Sequence, residues 1–388
     1  MSRLTGRIRI LRSVFPGVFC KARRRRPTDI ARILIVHRLR LGDALLLAPL
    51  LKKLRLTYPD AHIALTCSPS LLSLFAGQPY GITVLPYEPR DGDTVADIIA
   101  SGPYDLAFVL GDNRYAWLAL AAGSRWIVAQ DADMPAWKRR PIDELRPYPP
   151  TPGAWGDIVA RLVEGPPPPR YAKHEWPVPL FAPFDLPGSP YVVLHPGASS
   201  DVKHWVTSRW RSLAYSLEAQ GMRVVWSGLD SEVSLVREID PEGHFSSYAG
   251  QLNLGQQWQL LAHARALVCP DTGMAHLGRM VEVPTLALFG PGSVLVHGAG
   301  EFWADVPYAT QTLEPLPCRN QQKIFSSPVR WARRCDRALD ECINRAPTGA
   351  LCMSGIALDV VQLGLGTLLD SVACSSQSQP ASCYSAHV

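Results

Sequence analysis

The chain has 388 residues, 47% of them hydrophobic and only 19% charged, which excludes a disordered chain and suffices for two domains of ordinary size. The net charge of +5 sits at the N-terminus: residues 1–26 hold nine Lys or Arg and no Asp or Glu. The body is therefore close to neutral, which speaks against a nucleic-acid partner.

The first 30 residues read as a basic arm. Its cations attract anionic surfaces, at about 1 kcal/mol per Lys or Arg near an acidic bilayer. Leu4, Ile8, Leu11, Phe15 and Phe19 would let it lie on such a surface. A solvated tail is the alternative reading. No strongly apolar run reaches the roughly 18 residues of a membrane span, and no secretory signal precedes Cys20. A cytoplasmic protein is expected, with peripheral contact at the inner membrane an open alternative.

Residues 31–36 (ARILIV) read as a buried parallel strand. A loop follows, then a helix over 44–57 with Asp43 as its cap and Pro49 bending it. Strands are predicted at 63–66, 82–85, 106–110 and 126–129, with helices between. Such alternation means βαβ units and a parallel sheet. Prolines crowd residues 147–190, four of them consecutive at 166–169. This marks a linker and divides the chain into domains over 31–185 and 186–350. The pattern then restarts. Strands are predicted at 191–194, 223–226, 266–269 and 285–289, and helices at 207–220, 232–239, 256–264 and 274–281. Residues 315–350 read as basic and irregular. An amphipathic helix over 356–369 closes the fold within a segment 351–371, and 372–388 reads as a disordered tail. Nine cysteines, five of them beyond residue 330, lack zinc-site spacing and are expected to be thiols, with no metal site.

Four loops at strand ends carry candidate chemistry. In RLRLGD (38–43), Gly42 permits close backbone approach, and Asp43 is either a helix cap or a carboxylate at the mouth of a cleft, able to act as a general base. In HPGASSDVKHW (195–205), small residues such as Ser199 free backbone N–H groups for an anion, and Lys203 would add a compact positive charge. CPDTGMAH (269–276) joins a strand to a helix whose N-terminus suits a diphosphate, with Thr272, Gly273 and His276 at that end. A plain cap at Asp271 or Thr272 with a core histidine is the alternative, which spacing alone slightly favours. FGPGS (289–293), with Gly290, would lie beside it. The chain lacks G-x-G-x-x-G, P-loop and hydrolase signatures, so no nicotinamide, flavin or other cofactor is expected.

In this order the four loops resemble glycosyltransferase family 9, the lipopolysaccharide heptosyltransferases, over about residues 31–365. The carrying stretches are ILIVHRLRLGDALLLAP, YVVLHPGASSDVKHW, ARALVCPDTGMAHLGRMVEVPTLALFGPGS, and Cys352-Met353 with Ile356 and Val360. The resemblance implies an α/β chain of the GT-B type, two Rossmann-like domains facing a cleft. It implies a nucleotide-sugar donor, typically ADP-heptose, on the second domain and a glycolipid or polysaccharide acceptor on the first. Asp43 then matches the general base and Lys203 the lysine that neutralises the leaving diphosphate. Asp271, Thr272 and Gly273 match the diphosphate loop, and Glu232 more loosely an acid that holds the donor ribose. His276 matches a motif position of unassigned role. Leu39 and Arg40 depart from the small hydroxyl residues usual before Gly42. The implied reaction is an inverting single displacement without metal, in which Lys203→Ala should cost turnover but little stability. A UDP-sugar transferase or epimerase, or a non-catalytic assembly subunit, are the alternatives.

Overall fold

The computed structural model describes residue 10 and residues 24–132, 135–188 and 190–377. Two six-stranded parallel sheets organise it. The first contains β1 (Arg32–Val36), β2 (His62–Cys67), β3 (Ile82–Pro86), β4 (Leu106–Val109), β5 (Trp126–Gln130) and β6 (Glu144–Arg146), in the order β3-β2-β1-β4-β5-β6. The second contains β7 (Tyr191–Leu194), β8 (Arg223–Trp226), β9 (Ser246–Ser247), β10 (Ala266–Pro270), β11 (Thr285–Phe289) and β12 (Tyr308–Thr312), in the order β12-β11-β10-β7-β8-β9. Both are doubly wound. Helices cover both faces, so the central strands are apolar along their length: residues Ile33 to Val36 and Val192 to Leu194 are fully buried. In each sheet the direction of winding reverses once, between β1 and β4 and between β7 and β10. Ligand crevices form at such reversals, beyond the carboxyl ends of the strands.

Five helices frame the site and close the fold: α1 (Leu41–Leu45), α2 (Ala48–Thr57), α3 (Thr207–Ala219), α4 (Gly273–Val281) and α5 (Leu358–Gln377). The helix expected over 44–57 is in fact two. Pro49 lacks an N–H and fits only a first turn, so it opens α2 instead of bending a continuous helix. Asp43 is not a cap either. The Arg40 carbonyl already accepts the Ala44 N–H at 2.8 Å, which starts α1 at Leu41 and places Asp43 within its first turn.

The stretch 315–350 is not irregular throughout. Gln321–Ile324 (β13) and Ser327–Arg334 (β14) form an antiparallel hairpin. It docks on the first domain: Trp331 Nε1 donates to the Pro149 carbonyl at 2.9 Å, and Phe325 meets Trp155 edge-on at 5.0 Å. The proline-rich segment is likewise more than a spacer. Tyr171 donates its hydroxyl to the Met280 carbonyl of α4 at 2.7 Å, while Trp176 Nε1 donates to Leu74 in the first domain at 3.0 Å. Residues of both sheets, among them Ile33 and Phe289, share one buried apolar cluster through Trp155 and Trp303.

The closing helix α5 runs to Gln377, so the first residues of the expected disordered tail are helical; 378–388 lie outside the described residues. It packs on the second domain, with Gln362 donating to Ser216 of α3 at 2.7 Å. At the other end most of the basic arm lies outside the described residues. Arg24 and Arg26 do not project: they pair with Asp143 at 3.2 Å and Glu164 at 2.7 Å.

Candidate active site

The two sheets face each other with their reversal points, so the loops after β1, β7, β10 and β11 converge. Asp43 lies on α1 with a quarter of its side chain exposed. Gly42 beside it allows the approach, since a Cβ there would fall 2.7 Å from the ring of His276 and 3.5 Å from the Gly273 Cα. The first domain thus meets the N-terminal end of α4 backbone to backbone, with Leu41 lying on Gly273. Across the seam Nε2 of His297, the last residue of a short helix (Val294–His297) after β11, is 3.9 Å from Asp43 Oδ1. Burial pushes the Asp43 carboxyl above the ordinary range, and nearby Asp271 adds to this. His297, Lys203 and Arg334 pull the other way without prevailing. A carboxylate raised in this way is a stronger base than a solvated one.

On the second domain, Lys203 Nζ donates to the Asp271 carbonyl at 2.7 Å and to its Oδ2 at 3.0 Å. Burial alone would raise the Asp271 carboxyl, but Lys203, His297 and His276 outweigh it and hold it far below the usual carboxylate range. Lys203 keeps one N–H for a further acceptor. Thr272 caps α4, accepting the Met274 N–H at 3.5 Å. His276 is buried in the first turns of α4 with Nδ1 unpartnered; burial first, then Arg279, holds its pKa well below the ordinary value. A neutral imidazole at the seam can donate or accept a proton in a hydrogen bond.

Asp43, Lys203, Asp271, Thr272, Gly273 and His276 are therefore gathered in one place. The cap reading of Thr272 holds together with its place at the seam. Glu232 lies on the flank. Its Oε2 accepts the Leu229 N–H at 2.7 Å, and its carboxylate fills the space that a side chain on Gly197 would take. Burial raises its pKa, against the pull of that N–H. Ser199 is exposed at the lip of the same loop. Gly290 faces away: Met353 occupies the place of its missing Cβ, and its carbonyl accepts from Arg319 Nε at 2.7 Å.

Lys203→Ala is not the clean probe that sequence suggested. Lys203 partners a carboxylate that is 7% exposed, so its removal strands a buried charge. Three further residues escaped the sequence reading. His297 sits in the glycine-rich stretch after β11 and carries no motif of its own. Arg334 sits at the end of β14. Arg279, buried inside α4, stacks on the Tyr308 ring at 3.8 Å and donates to the Gly298 carbonyl at 2.9 Å, fixing the loop that carries His297. Cys318, Cys335, Cys342 and Cys352 are free thiols lining a common hollow near Pro291, and burial pushes Cys352 to about 11.

A sequence model of glycosyltransferase family 9 (heptosyltransferase) matches residues 103–327, more than half of the chain. The chain belongs to this family. The match covers the loops of Lys203 and Asp271 and begins after Asp43. Lipopolysaccharide heptosyltransferase 1 of Pseudomonas aeruginosa is 29% identical over 245 residues, 57% of this chain and 66% of that protein. The Salmonella typhimurium lipopolysaccharide heptosyltransferase 1 is 28% identical over 115 residues, 29% of this chain and 36% of its own length. The chain thus spans just under two thirds of the one and about a third of the other. Among solved structures, a family 9 enzyme from Veillonella parvula superposes with a TM-score of 0.67 at 17% identity, covering 89% of this chain and 99% of that one. The ADP-heptose lipopolysaccharide heptosyltransferase II of Escherichia coli gives 0.65 at 18%, covering 89% and 100%. At such identities the likeness is one of fold, and the fold is GT-B with two Rossmann-like domains.

Proposed function

We propose that this family 9 glycosyltransferase moves a sugar, heptose from ADP-heptose, onto a hydroxyl of a lipopolysaccharide-type glycolipid, with inversion. One observation carries the reading: Asp43 of the first domain meets, across the seam, a second-domain cluster built on Lys203, Asp271 and the N-terminus of α4. The Pseudomonas and Salmonella relatives are called lipopolysaccharide heptosyltransferases, which favours heptose as the sugar.

In the proposed step the acceptor oxygen attacks the anomeric carbon and its proton passes to Asp43. The bond from that carbon to the diphosphate oxygen breaks, and the nucleoside diphosphate leaves with the electron pair. Base assistance of this kind is worth about 10²–10⁴-fold. Lys203 and the amides at Thr272–Gly273 oppose the charge gathering on the leaving group, at roughly 2.7–4 kcal/mol for one well-aimed donor. These cationic and backbone groups do the work a metal would do elsewhere, so the reading calls for none. Ser199 and Glu232 border the donor side in this reading, Glu232 through the ribose, while Gly290, turned toward Met353, does not. Among the described residues no helix is long and apolar enough to cross a membrane. Contact with the cytoplasmic face of the inner membrane would fall to residues 1–23, since Arg24 and Arg26 are engaged with the first domain.

Thermal-shift titration with ADP, GDP and UDP tests the donor. At about 100 times its dissociation constant ADP should stabilise the fold by roughly 2.7 kcal/mol. Stabilisation by UDP alone would make the chain a UDP-sugar enzyme. Failure of the pure protein to transfer or hydrolyse any nucleotide sugar would leave an assembly role.

A further inference from the structure

His195 opens the HPGASSDVKHW loop, and the transfer step leaves it without a part. It is 2% exposed, and Ser227 beside it is fully buried. The sheet puts the two together. Leu194 and Trp226 are paired across β7 and β8, so the residues that follow them leave the sheet side by side. Both are held by the ladder: the His195 N–H donates to the Val268 carbonyl at 3.0 Å, and the Ser227 N–H to the Leu194 carbonyl at 3.0 Å. His195 Nδ1 and Ser227 Oγ are 2.8 Å apart. On its other side the ring faces Glu232, with Nε2 3.7 Å from Oε2. Glu232 is hemmed in as well. Its carboxylate fills the space of a Cβ on Gly197, a Cβ on Gly228 would come 3.5 Å from Oε2, and the Leu229 N–H donates to Oε2 at 2.7 Å.

Burial lowers the His195 pKa to about 4, so the ring is neutral near neutral pH and carries one N–H. Its neighbours decide which nitrogen holds the proton. With the proton on Nδ1, the lone pair of Nε2 would face a carboxylate, and two acceptors repel. With the proton on Nε2, the N–H points at Oε2 while Nδ1 accepts the Ser227 hydroxyl, and the arrangement favours this tautomer. At 3.7 Å the contact to Glu232 is longer than a hydrogen bond, and contacts of this kind tighten when a ligand fills the site. His204 also lowers the Glu232 carboxyl, but its Nδ1 lies beside Asp201 Oδ1, 3.7 Å away. Oε2 of Glu232 thus faces two protein donors, and Oε1 is the oxygen left for ligand hydroxyls. A tenth of the side chain is exposed.

We infer that His195 is the positioning residue of Glu232: Ser227 orients its ring, its Nε2–H and the Leu229 N–H hold Oε2, and Oε1 is thereby kept for the hydroxyls of the donor ribose. The inference rests on reading Glu232 as the acid that meets the ribose. It assigns the first residue of the loop to selection of the nucleoside, whereas Lys203 near the loop's end serves the diphosphate. Two neighbouring strand ends fix the acid before any ligand arrives. An acceptor held in this way discriminates by hydroxyl, because an analogue that lacks the hydroxyl leaves it without a partner.

The test is calorimetry on the full chain with ADP, 2′-deoxy-ADP, 3′-deoxy-ADP and inorganic pyrophosphate. Gln carries its amide nitrogen where His has Nε2, and Asn carries its own where His has Nδ1. His195→Gln therefore keeps the donor toward Glu232, and His195→Asn loses it. The wild type should bind ADP about tenfold or more tighter than at least one deoxy analogue. In His195→Asn that preference should shrink severalfold through weaker ADP binding, with pyrophosphate bound as before, and His195→Gln should recover most of it. Ser227→Ala removes a single hydroxyl and reads the same contact where His195→Asn fails to fold; its preference should also shrink severalfold. A wild-type preference in His195→Asn or in Ser227→Ala, or equal losses in the Gln and Asn variants, would overturn the positioning role alone. Equal binding of all three nucleotides by the wild type would overturn the ribose reading of Glu232, and this role with it.

Discussion

Nε2 of His297 stands 3.9 Å from Oδ1 of Asp43, and the two residues belong to different domains. If Asp43 is the base, its surroundings are complete only when the domains meet, because His297 arrives from the opposite domain. His297 is also the strongest of the groups that lower the Asp43 pKa, ahead of Lys203 and Arg334, while burial and Asp271 raise it. In His297→Gln the Asp43 carboxyl should therefore rise further. The active form is the carboxylate, so rate is lost as pH falls through that value. The acid limb of the kcat/KM profile should move to higher pH, and a limb that stays in place would remove His297 from the base's environment.

Gly42→Ala should act on the seam alone. The new methyl would stand 2.7 Å from the His276 ring, closer than real Cβ contacts allow, so the α1–α4 contact must open. A misplacement of about 1 Å can cost about 10²-fold in rate. Steady-state assays should show turnover lowered by about 10–100-fold, with ADP affinity nearly unchanged.

The Lys203–Asp271 pair should appear in stability as well as in rate. Asp271 has a depressed pKa in the folded state, so its contribution is present above the ordinary carboxylate range and lost as pH falls through the folded value. Lys203→Ala should destabilise the protein by roughly 3 kcal/mol at neutral pH, the low end for a broken buried pair because Lys203 is partly exposed. The gap to wild type should narrow in acid. Adding Asp271→Asn should restore part of the loss, and denaturant unfolding of the wild type, the single and the double variant reads this directly.

Gly197→Ala should separate donor binding from chemistry. The methyl would overlap the Glu232 carboxylate and displace it. If Glu232 holds the ribose, calorimetry should show ADP affinity falling about tenfold or more, about 1.4 kcal/mol, while inorganic pyrophosphate binds as before. Equal ADP affinity in both proteins would detach Glu232 from the donor.

The regular architecture was legible in the sequence because its cause is local. Tyr191–Leu194, Arg223–Trp226 and Thr285–Phe289 are strands with the bounds that their apolar runs predict, since a strand covered on both faces must be apolar throughout. Edge strands such as β6, β9 and β12 carry no such run and escaped notice. The β13–β14 hairpin was hidden because its exposed positions are Gln322, Pro328, Arg330 and Arg333 and its buried ones are as small as Ser327 and Ala332. Asp43 looked like a cap because the position of a helix start depends on which carbonyl accepts first, and that is settled by packing. Its place opposite Lys203, Asp271 and His276 followed from motif order, whereas His297, Arg279 and Arg334 act through contacts between segments far apart in the chain, which no spacing reveals.

The central claim is that Asp43 takes the acceptor proton. Asp43→Asn keeps the shape of the side chain and removes the base, and it should be assayed for sugar transfer from ADP-heptose to a lipopolysaccharide acceptor, with ADP binding measured on the same preparation. Turnover lower by about 10²-fold or more with ADP binding intact is the predicted result. Transfer at the wild-type rate would contradict it.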